Sequence, residues 1–246
     1  MNKKDPAIFS DKTQPPSRRE VWRMFDRIAR RYDFLNRTLS LGRDVAWRNR
    51  IVANLPEGGP LRVLDLATGT GDVLLTLLRE NPGIELAAGI DMAREMLRIG
   101  RRKISEKGFD HSVYMIPADA MALPFRRASF EVLTIAFGIR NVQEVDTALR
   151  EMKRLLRSGG RMLILEFSLP ENPLMRKLYL FYFRHILPRI GGMISGDQYA
   201  YRYLNQTVET FPYGEEFCRL MRLAGFGNVR AIPLTFGIAT LYRGDA

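Results

Sequence analysis

From Leu61 onward the hydrophobic residues fall in short runs, separated by stretches in which they recur every three or four positions. Leu61–Leu66, Ile84–Ile90, Val113–Ile116, Phe130–Phe137 and Arg161–Phe167 read as buried strands. Between them, Asp72–Glu80, Ala93–Lys107 and Val142–Arg157 read as helices, the second ending at Gly108 and the third before Ser158-Gly159-Gly160. Strands alternating with helices at this spacing predict a mostly parallel sheet with helices on both faces. After Pro170 the pattern changes. Residues 173–211 are rich in aromatic and basic side chains and read as irregular helix. A last helix near Glu215–Ala224 precedes two more candidate strands, Val229–Pro233 and Ile238–Tyr242, which makes a seven-stranded α/β sheet of Rossmann-like type.

Upstream of the sheet, Val21, Phe25, Ile28 and Tyr32 recur at helical spacing with arginines between them, a basic amphipathic helix. A second helix carries Trp47 and Ile51 and stops at Pro56-Glu57-Gly58-Gly59. Residues 1–17 are polar, include Pro15-Pro16, and are expected to form a flexible arm rather than a signal peptide or membrane anchor. The expected plan is one domain over 18–246, with an N-terminal helical cap at 18–58 and an inserted helical segment at 171–211.

Composition narrows the chemistry. The 246 residues are 46% hydrophobic, enough for a large core and too many for a mostly disordered chain. One cysteine, Cys218, excludes an intramolecular disulfide framework and suits a reducing cytoplasm. The two histidines, His111 and His185, lie far apart without clustered carboxylates, so no metal site is expected. The net charge of +11 fits nucleic acid, anionic lipid headgroups, acidic small molecules or a plainly solvated surface, and does not choose among them.

The strongest local signal is Val63-Leu64-Asp65-Leu66-Ala67-Thr68-Gly69-Thr70-Gly71-Asp72, a strand that turns on glycines into a helix. Gly69 and Gly71 let a ligand approach the backbone closely. The next strand ends at Asp91, where a carboxylate can accept both hydroxyls of a ribose. The turn is not a phosphate fingerprint, because Leu74 replaces the third glycine of G-x-G-x-x-G and no G-K-[ST] follows. Asp65 and Asp72 flank it and would repel a pyrophosphate, but they suit a ligand with a sulfonium and an amino group. After the third strand, Asp119 is placed to accept from an adenine amino group, and small Ala120 leaves room for the ring. This set points to S-adenosylmethionine. The structural alternative for Asp91 or Asp119 alone is a helix N-cap.

With those residues in place, the chain resembles the ubiquinone/menaquinone biosynthesis C-methyltransferase family from about residue 20 to residue 243. Tyr32-Asp33-Phe34-Leu35-Asn36 with Ser40, Gly42 and Trp47 resembles its N-terminal signature, with Leu35 for a usual methionine and Asp44 for a usual histidine. Phe137-Gly138-Ile139-Arg140-Asn141-Val142 matches the segment after the fourth strand. Arg154 to Gly160 through Leu165-Glu166-Phe167-Ser168 resembles the second signature, with Ser158 for a usual proline. His185 to Gly191 and Tyr201-Arg202-Tyr203-Leu204 match the inserted segment. The resemblance implies a class I methyltransferase whose cofactor contacts fall on Thr70, Asp91, Asp119 and Ala120. Ala136 stands where the family has a serine contact.

The implied substrate is an isoprenoid quinol. Its ring carbon is nucleophilic only when the ring is reduced and one hydroxyl has lost its proton, so a fixed cation should favour the phenolate. Arg140 is the first candidate, Asn141 would orient the ring or a water, and Tyr32 would relay a proton. The structural alternatives are an Arg140 ion pair with Glu144 or Asp146, and packing roles for Tyr32 and His185. Leu178, Leu180, Phe181, Phe183, Ile186 and Leu187, among Arg176, Lys177, Arg184 and Arg189, fit either transient contact with a membrane surface or a helix buried over the substrate. The expected location is cytoplasmic, with peripheral contact at the inner face of the cell membrane. A homodimer or a quinone-biosynthesis assembly is left open. Two other readings are carried forward: an RNA-directed methyltransferase, disfavoured because Ala136-Phe137-Gly138-Ile139 lacks an Asn/Asp-Pro-Pro-aromatic motif, and a non-catalytic adenosine-binding scaffold. No nucleic-acid partner is expected.

Overall fold

In the order β3-β2-β1-β4-β5-β7-β6, seven strands form one sheet in the computed structural model, which describes residues 20–189, 191 and 198–246. The expected arm at 1–17 lies outside the described residues. Strands β1 (Leu61–Leu66), β2 (Ile84–Asp91), β3 (Val113–Pro117), β4 (Phe130–Ala136) and β5 (Leu156–Phe167) run parallel. Strand β7 (Ala239–Asp245) is antiparallel to both β5 and β6 (Gly227–Leu234).

The central strands are apolar on both faces because helices cover both. Leu64, Leu66, Leu133 and Ile135 point into one core with α5 (Val145–Leu155) and α8 (Glu215–Leu223). Val63, Val132, Leu163 and Leu165 point into the other, with α2 (Arg43–Val52), α3 (Asp72–Glu80) and α4 (Arg94–Glu106). Strand order reverses between β1 and β4, which opens a crevice at their C-terminal ends.

Several boundaries differ from the sequence expectation, among them β7, which runs to Asp245, and the starts of α5 and β5. Helix α5 begins at Val145, because Ile139–Asn141 winds into a tighter 3-10 turn first. Strand β5 begins at Leu156, which pairs with Phe130 ahead of a register shift, so the Ser158-Gly159-Gly160 irregularity falls within the strand.

The cap and the inserted segment meet above the crevice. Helix α1 (Val21–Leu39) packs Ala29 against Ala93, Met96 and Ile99 around α4. Three polar contacts pin it there. The Glu95 amide donates to Asp26 at 2.8 Å, which caps α4 from outside; Lys103 donates to Asp33 at 2.9 Å; and the Thr70 hydroxyl donates to Asp33 at 2.5 Å. Helix α6 (Pro173–Phe181) starts with Pro173 in its first turn and Asn172 accepting from the Leu174 and Met175 amides. A π-helical turn, Tyr182–Ile186, continues it, and α7 (Gln198–Thr210) follows. Met24 and Ile28 of α1 share a core with Tyr179, Phe183, Leu187 and Tyr203. No helix among the described residues is long and apolar enough to cross a membrane.

Candidate active site

At the end of β1 the backbone leaves the sheet through Ala67 (φ 48°) and Gly69 (φ 56°), both in the left-handed region. Glycine relieves that strain at 69. Asp91, at the end of β2, accepts from the Gly69 amide at 2.9 Å and the Ala93 amide at 2.8 Å, so one carboxylate ties the β1 turn to the start of α4. Burial raises its pKa, while those amide bonds hold it back. Asp119 accepts from the Met121 amide at 2.9 Å. Neither aspartate is an N-cap of the usual kind: each bonds an amide two residues on in a turn, and Ala93 occupies the N-cap position of α4.

These residues line a cavity of about 190 Å³ together with Tyr32, Ala120 and Asn141. Among the described residues no lysine or arginine lines it, while Asp91 and Asp119 do. Two carboxylates in the lining disfavour a phosphate ligand and suit one that carries positive charge. Gly138 closes the floor at the end of β4, where an added Cβ would lie 2.6 Å from that of Ala67. The donor set therefore fits S-adenosylmethionine, with acceptors for ribose hydroxyls and an amino group, and small side chains along the floor.

The remaining expected cofactor residues sit behind the turn rather than in the cavity wall. Asp65 is buried and accepts from Thr68 at 2.7 Å and from Thr134, its register partner on β4, at 2.5 Å. Burial pushes its pKa up to about 7 against those two bonds. The Thr70 hydroxyl is turned to Asp33 and Lys103. Gly71 (φ 78°) precedes α3, and a Cβ there would point at Ile104 and Met115, not at the cavity. Asp72 is paired with Lys103 and with Arg48. The expectation that Asp65 and Asp72 supply the negative field is thus corrected: one is enclosed and the other neutralised, and Asp91 and Asp119 carry the charge that faces the ligand space.

A second, larger cavity of about 450 Å³ lies beneath the cap, walled mostly by apolar residues of α1, α6 and α7. The two cavities share Phe25, Tyr32 and Phe137. Phe137 (φ 56°) packs against Phe167 with ring centroids 4.5 Å apart, and the Tyr32 ring meets Phe25 edge-on at 5.9 Å. Burial raises the Tyr32 pKa, against a hydrogen bond from Asn36 and the field of Arg140. Asn141 faces the first cavity and accepts from the Tyr203 hydroxyl at 3.1 Å, which belongs to the second.

Arg140 is 5% exposed and lines the second cavity. Its partners are Glu166 at 2.6 Å and the Phe137 carbonyl at 2.7 Å, not Glu144 or Asp146, and its guanidinium lies 5.3 Å from the Phe167 ring centre. His185 is exposed against Phe181 and lines neither cavity. Sequence reasoning missed Glu166, Asp33, Lys103 and Tyr179. Glu166, near the end of β5, and Asp33 lie within the segments that resemble the family signatures, which was the available signal; Lys103 and Tyr179 depend on where two helices land.

A family model described as the ubiE/COQ5 methyltransferase family matches residues 12–245. A demethylmenaquinone methyltransferase of Thermus thermophilus is 48% identical over 222 residues, covering 90% of this chain and 99% of the relative. A ubiquinone/menaquinone biosynthesis C-methyltransferase of Geotalea uraniireducens is 46% identical, covering 92% of this chain and 96% of its own. Among solved structures, a possible histamine N-methyltransferase of Thermotoga maritima superposes with a TM-score of 0.65 at 20% identity, covering 91% of this chain and 99% of that one. A putative S-adenosylmethionine-dependent methyltransferase of Methanococcus maripaludis gives 0.64 at 16% identity, covering 88% and 90%. At those identities the structural likeness speaks for the fold alone.

Proposed function

This chain belongs to the ubiE/COQ5 methyltransferase family and is an S-adenosylmethionine-dependent C-methyltransferase, and on that premise we propose that its substrate is a reduced isoprenoid quinol of respiratory quinone biosynthesis. The observation that supports the substrate reading is the adjacency of the cavities: an acidic space shares Tyr32, Phe25 and Phe137 with a mostly apolar chamber. A polar ring at the junction with its tail in the chamber matches both halves.

When bound, S-adenosylmethionine supplies an electrophilic methyl carbon to a nucleophilic ring carbon. Gly69, Asp91, Asp119 and Ala120 would hold it, with Asp65, Thr70 and Gly71 shaping the turn behind. Arg140 favours the phenolate form of the quinol, and Glu166 and the Phe137 carbonyl fix its guanidinium beforehand, so that little reorganisation is needed. Asn141, oriented by Tyr203, positions the ring. Tyr32 stands between the two spaces as the proton relay. The aromatic junction excludes water.

The two readings of 176–189 correspond to two faces of one segment. Tyr179, Phe183 and Leu187 line the chamber, while Leu174, Leu178 and Phe181 are exposed beside Arg176 and Lys177. At the chamber rim Leu41 and Phe236 are 81% and 77% exposed, each in a left-handed backbone conformation. Apolar residues displayed at the mouth of an apolar chamber support transient contact with a membrane surface, where basic neighbours gain about 1 kcal/mol each from anionic headgroups. The protein would then be cytoplasmic and peripheral at the inner face of the membrane. The relatives favour neither the RNA-directed reading nor the non-catalytic scaffold.

The test is transfer of labelled methyl from S-adenosylmethionine to a demethylquinol extract, with and without reductant, and to bulk RNA. Label in the reduced lipid alone is expected. Full transfer without reductant rejects the quinol mechanism, and transfer to RNA rejects the substrate class.

A further inference from the structure

Four buried side-chain polar atoms among the described residues lack a hydrogen-bond partner: Arg140 Nε, Tyr179 Oη, Asn205 Oδ1 and Arg243 Nε. The first two belong to residues on the wall of one space, the apolar chamber. Tyr179 is 8% exposed, stacks on Phe183 with centroids 5.1 Å apart, and lies within the field of the Arg140 guanidinium and of Glu166. An unsatisfied buried hydroxyl or guanidinium N–H loses its hydration without recompense, and a phenylalanine at 179 would fill the same volume without that cost. Two unsatisfied donors on residues that wall one mostly apolar chamber fit a ligand that brings the acceptor.

We infer that the Tyr179 hydroxyl and the Arg140 Nε–H together bind one ring oxygen of the substrate, which makes Tyr179 a substrate-binding residue and sets the ring at the inner end of the chamber. The inference rests on an aromatic hydroxylated substrate, as proposed above. Burial raises the Tyr179 pKa further, so the phenol stays protonated and serves as a donor throughout the working range. An oxygen that accepts from both groups is favoured most as a phenolate, since charge-assisted bonds are the stronger ones. A ring without the oxygen would leave both donors stranded, and rejection of such analogues follows from that asymmetry.

The experiment compares wild type with Tyr179→Phe, using 1-naphthol and naphthalene as probes in calorimetry and following thermal unfolding of both proteins. Wild type should bind 1-naphthol more tightly than naphthalene. Tyr179→Phe should lose about tenfold in affinity for 1-naphthol and little for naphthalene, as expected for one hydrogen bond. Its melting temperature should be unchanged or higher, because the stranded hydroxyl is gone; a hydroxyl that made a structural hydrogen bond predicts a lower one. With reduced demethylquinol the variant should show a raised KM. Equal affinity of the two proteins for 1-naphthol, or parallel losses on both probes with a lowered melting temperature, overturns the inference. Absence of methyl transfer to any quinol by wild type would instead defeat the substrate proposal, while the probe comparison still decides the role of Tyr179.

Discussion

Arg140 and Glu166, 26 residues apart, meet as a buried ion pair in which the arginine Nη1 donates to the Glu166 Oε1 at 2.6 Å. The pair joins the turn after β4 to the end of β5 and holds the guanidinium against Phe167 at the chamber wall. Two consequences of removing Arg140 must therefore be separated. Arg140→Ala should lower the methylation rate about a hundredfold or more, as for loss of one preorganised charge-stabilising donor. It should also cost about 3–5 kcal/mol of stability, because Glu166 is left buried without its partner. The double change Arg140→Gln with Glu166→Gln should restore the unfolding midpoint but not the rate. Arg140→Lys should recover only part of the rate, since one ammonium cannot reproduce the planar fork. A pH–rate profile displaced to higher pH in the Arg140→Ala enzyme is expected if the cation favours the phenolate; an unshifted profile with a normal rate would leave Arg140 as a structural pair.

Asp91 accepts from the Gly69 and Ala93 amides and lines the smaller, acidic cavity, the proposed cofactor site. Asp91→Ala should weaken S-adenosylmethionine binding by about 1.5–3 kcal/mol. Asp91→Asn should lose less, because an amide oxygen still accepts from one of those N–H groups. Calorimetric titration of both variants checks the order, and wild-type affinity in Asp91→Ala would misplace the site.

Phe181 and Phe183 are two residues apart and face opposite ways, the first exposed and the second 1% exposed on the chamber wall. Phe181→Ser should reduce co-sedimentation with anionic vesicles and activity on long-tailed quinols, and should leave the melting temperature near wild type. Phe183→Ser should lower stability by a few kcal/mol, in the range of about 3–5 for large aromatic truncations, and impair short-tailed and long-tailed substrates alike. Vesicle binding by Phe181→Ser equal to wild type would remove this face from the membrane contact.

Asp65 has a pKa raised by burial from 3.8 to about 7. The folded chain therefore binds this proton more tightly than the unfolded one, and the associated stability is present below the lower value and lost as pH rises towards the upper. Asp65→Asn should flatten that part of the stability profile. Chemical denaturation across this pH range measures it, and identical slopes in both proteins would show that Asp65 does not titrate there.

The sheet and the cofactor turn were legible in the sequence because their signals are local. Buried parallel strands are continuous apolar runs, and the runs at Leu61–Leu66 and Phe130–Ala136 lie where they were expected. A turn that needs positive φ calls for glycine, and Gly69 declares itself by type alone. The charges behaved differently. Asp65, Asp72, Asp91 and Asp119 look alike as letters, yet one is enclosed by two threonines, one is neutralised by Lys103 and Arg48, and two face the ligand space. The sign and reach of a charge depend on what lies within a few ångströms, and those neighbours come from elements far away in the chain. The same holds for the chamber. The aromatic and apolar content of 176–189 marked Phe183 and Leu187 among candidates for a buried or a membrane-facing helix, but the docking of α6 against α1 and α7 decided that Tyr179, Phe183 and Leu187 wall a space, and that two residues of its wall keep a hydroxyl and a guanidinium N–H without partners.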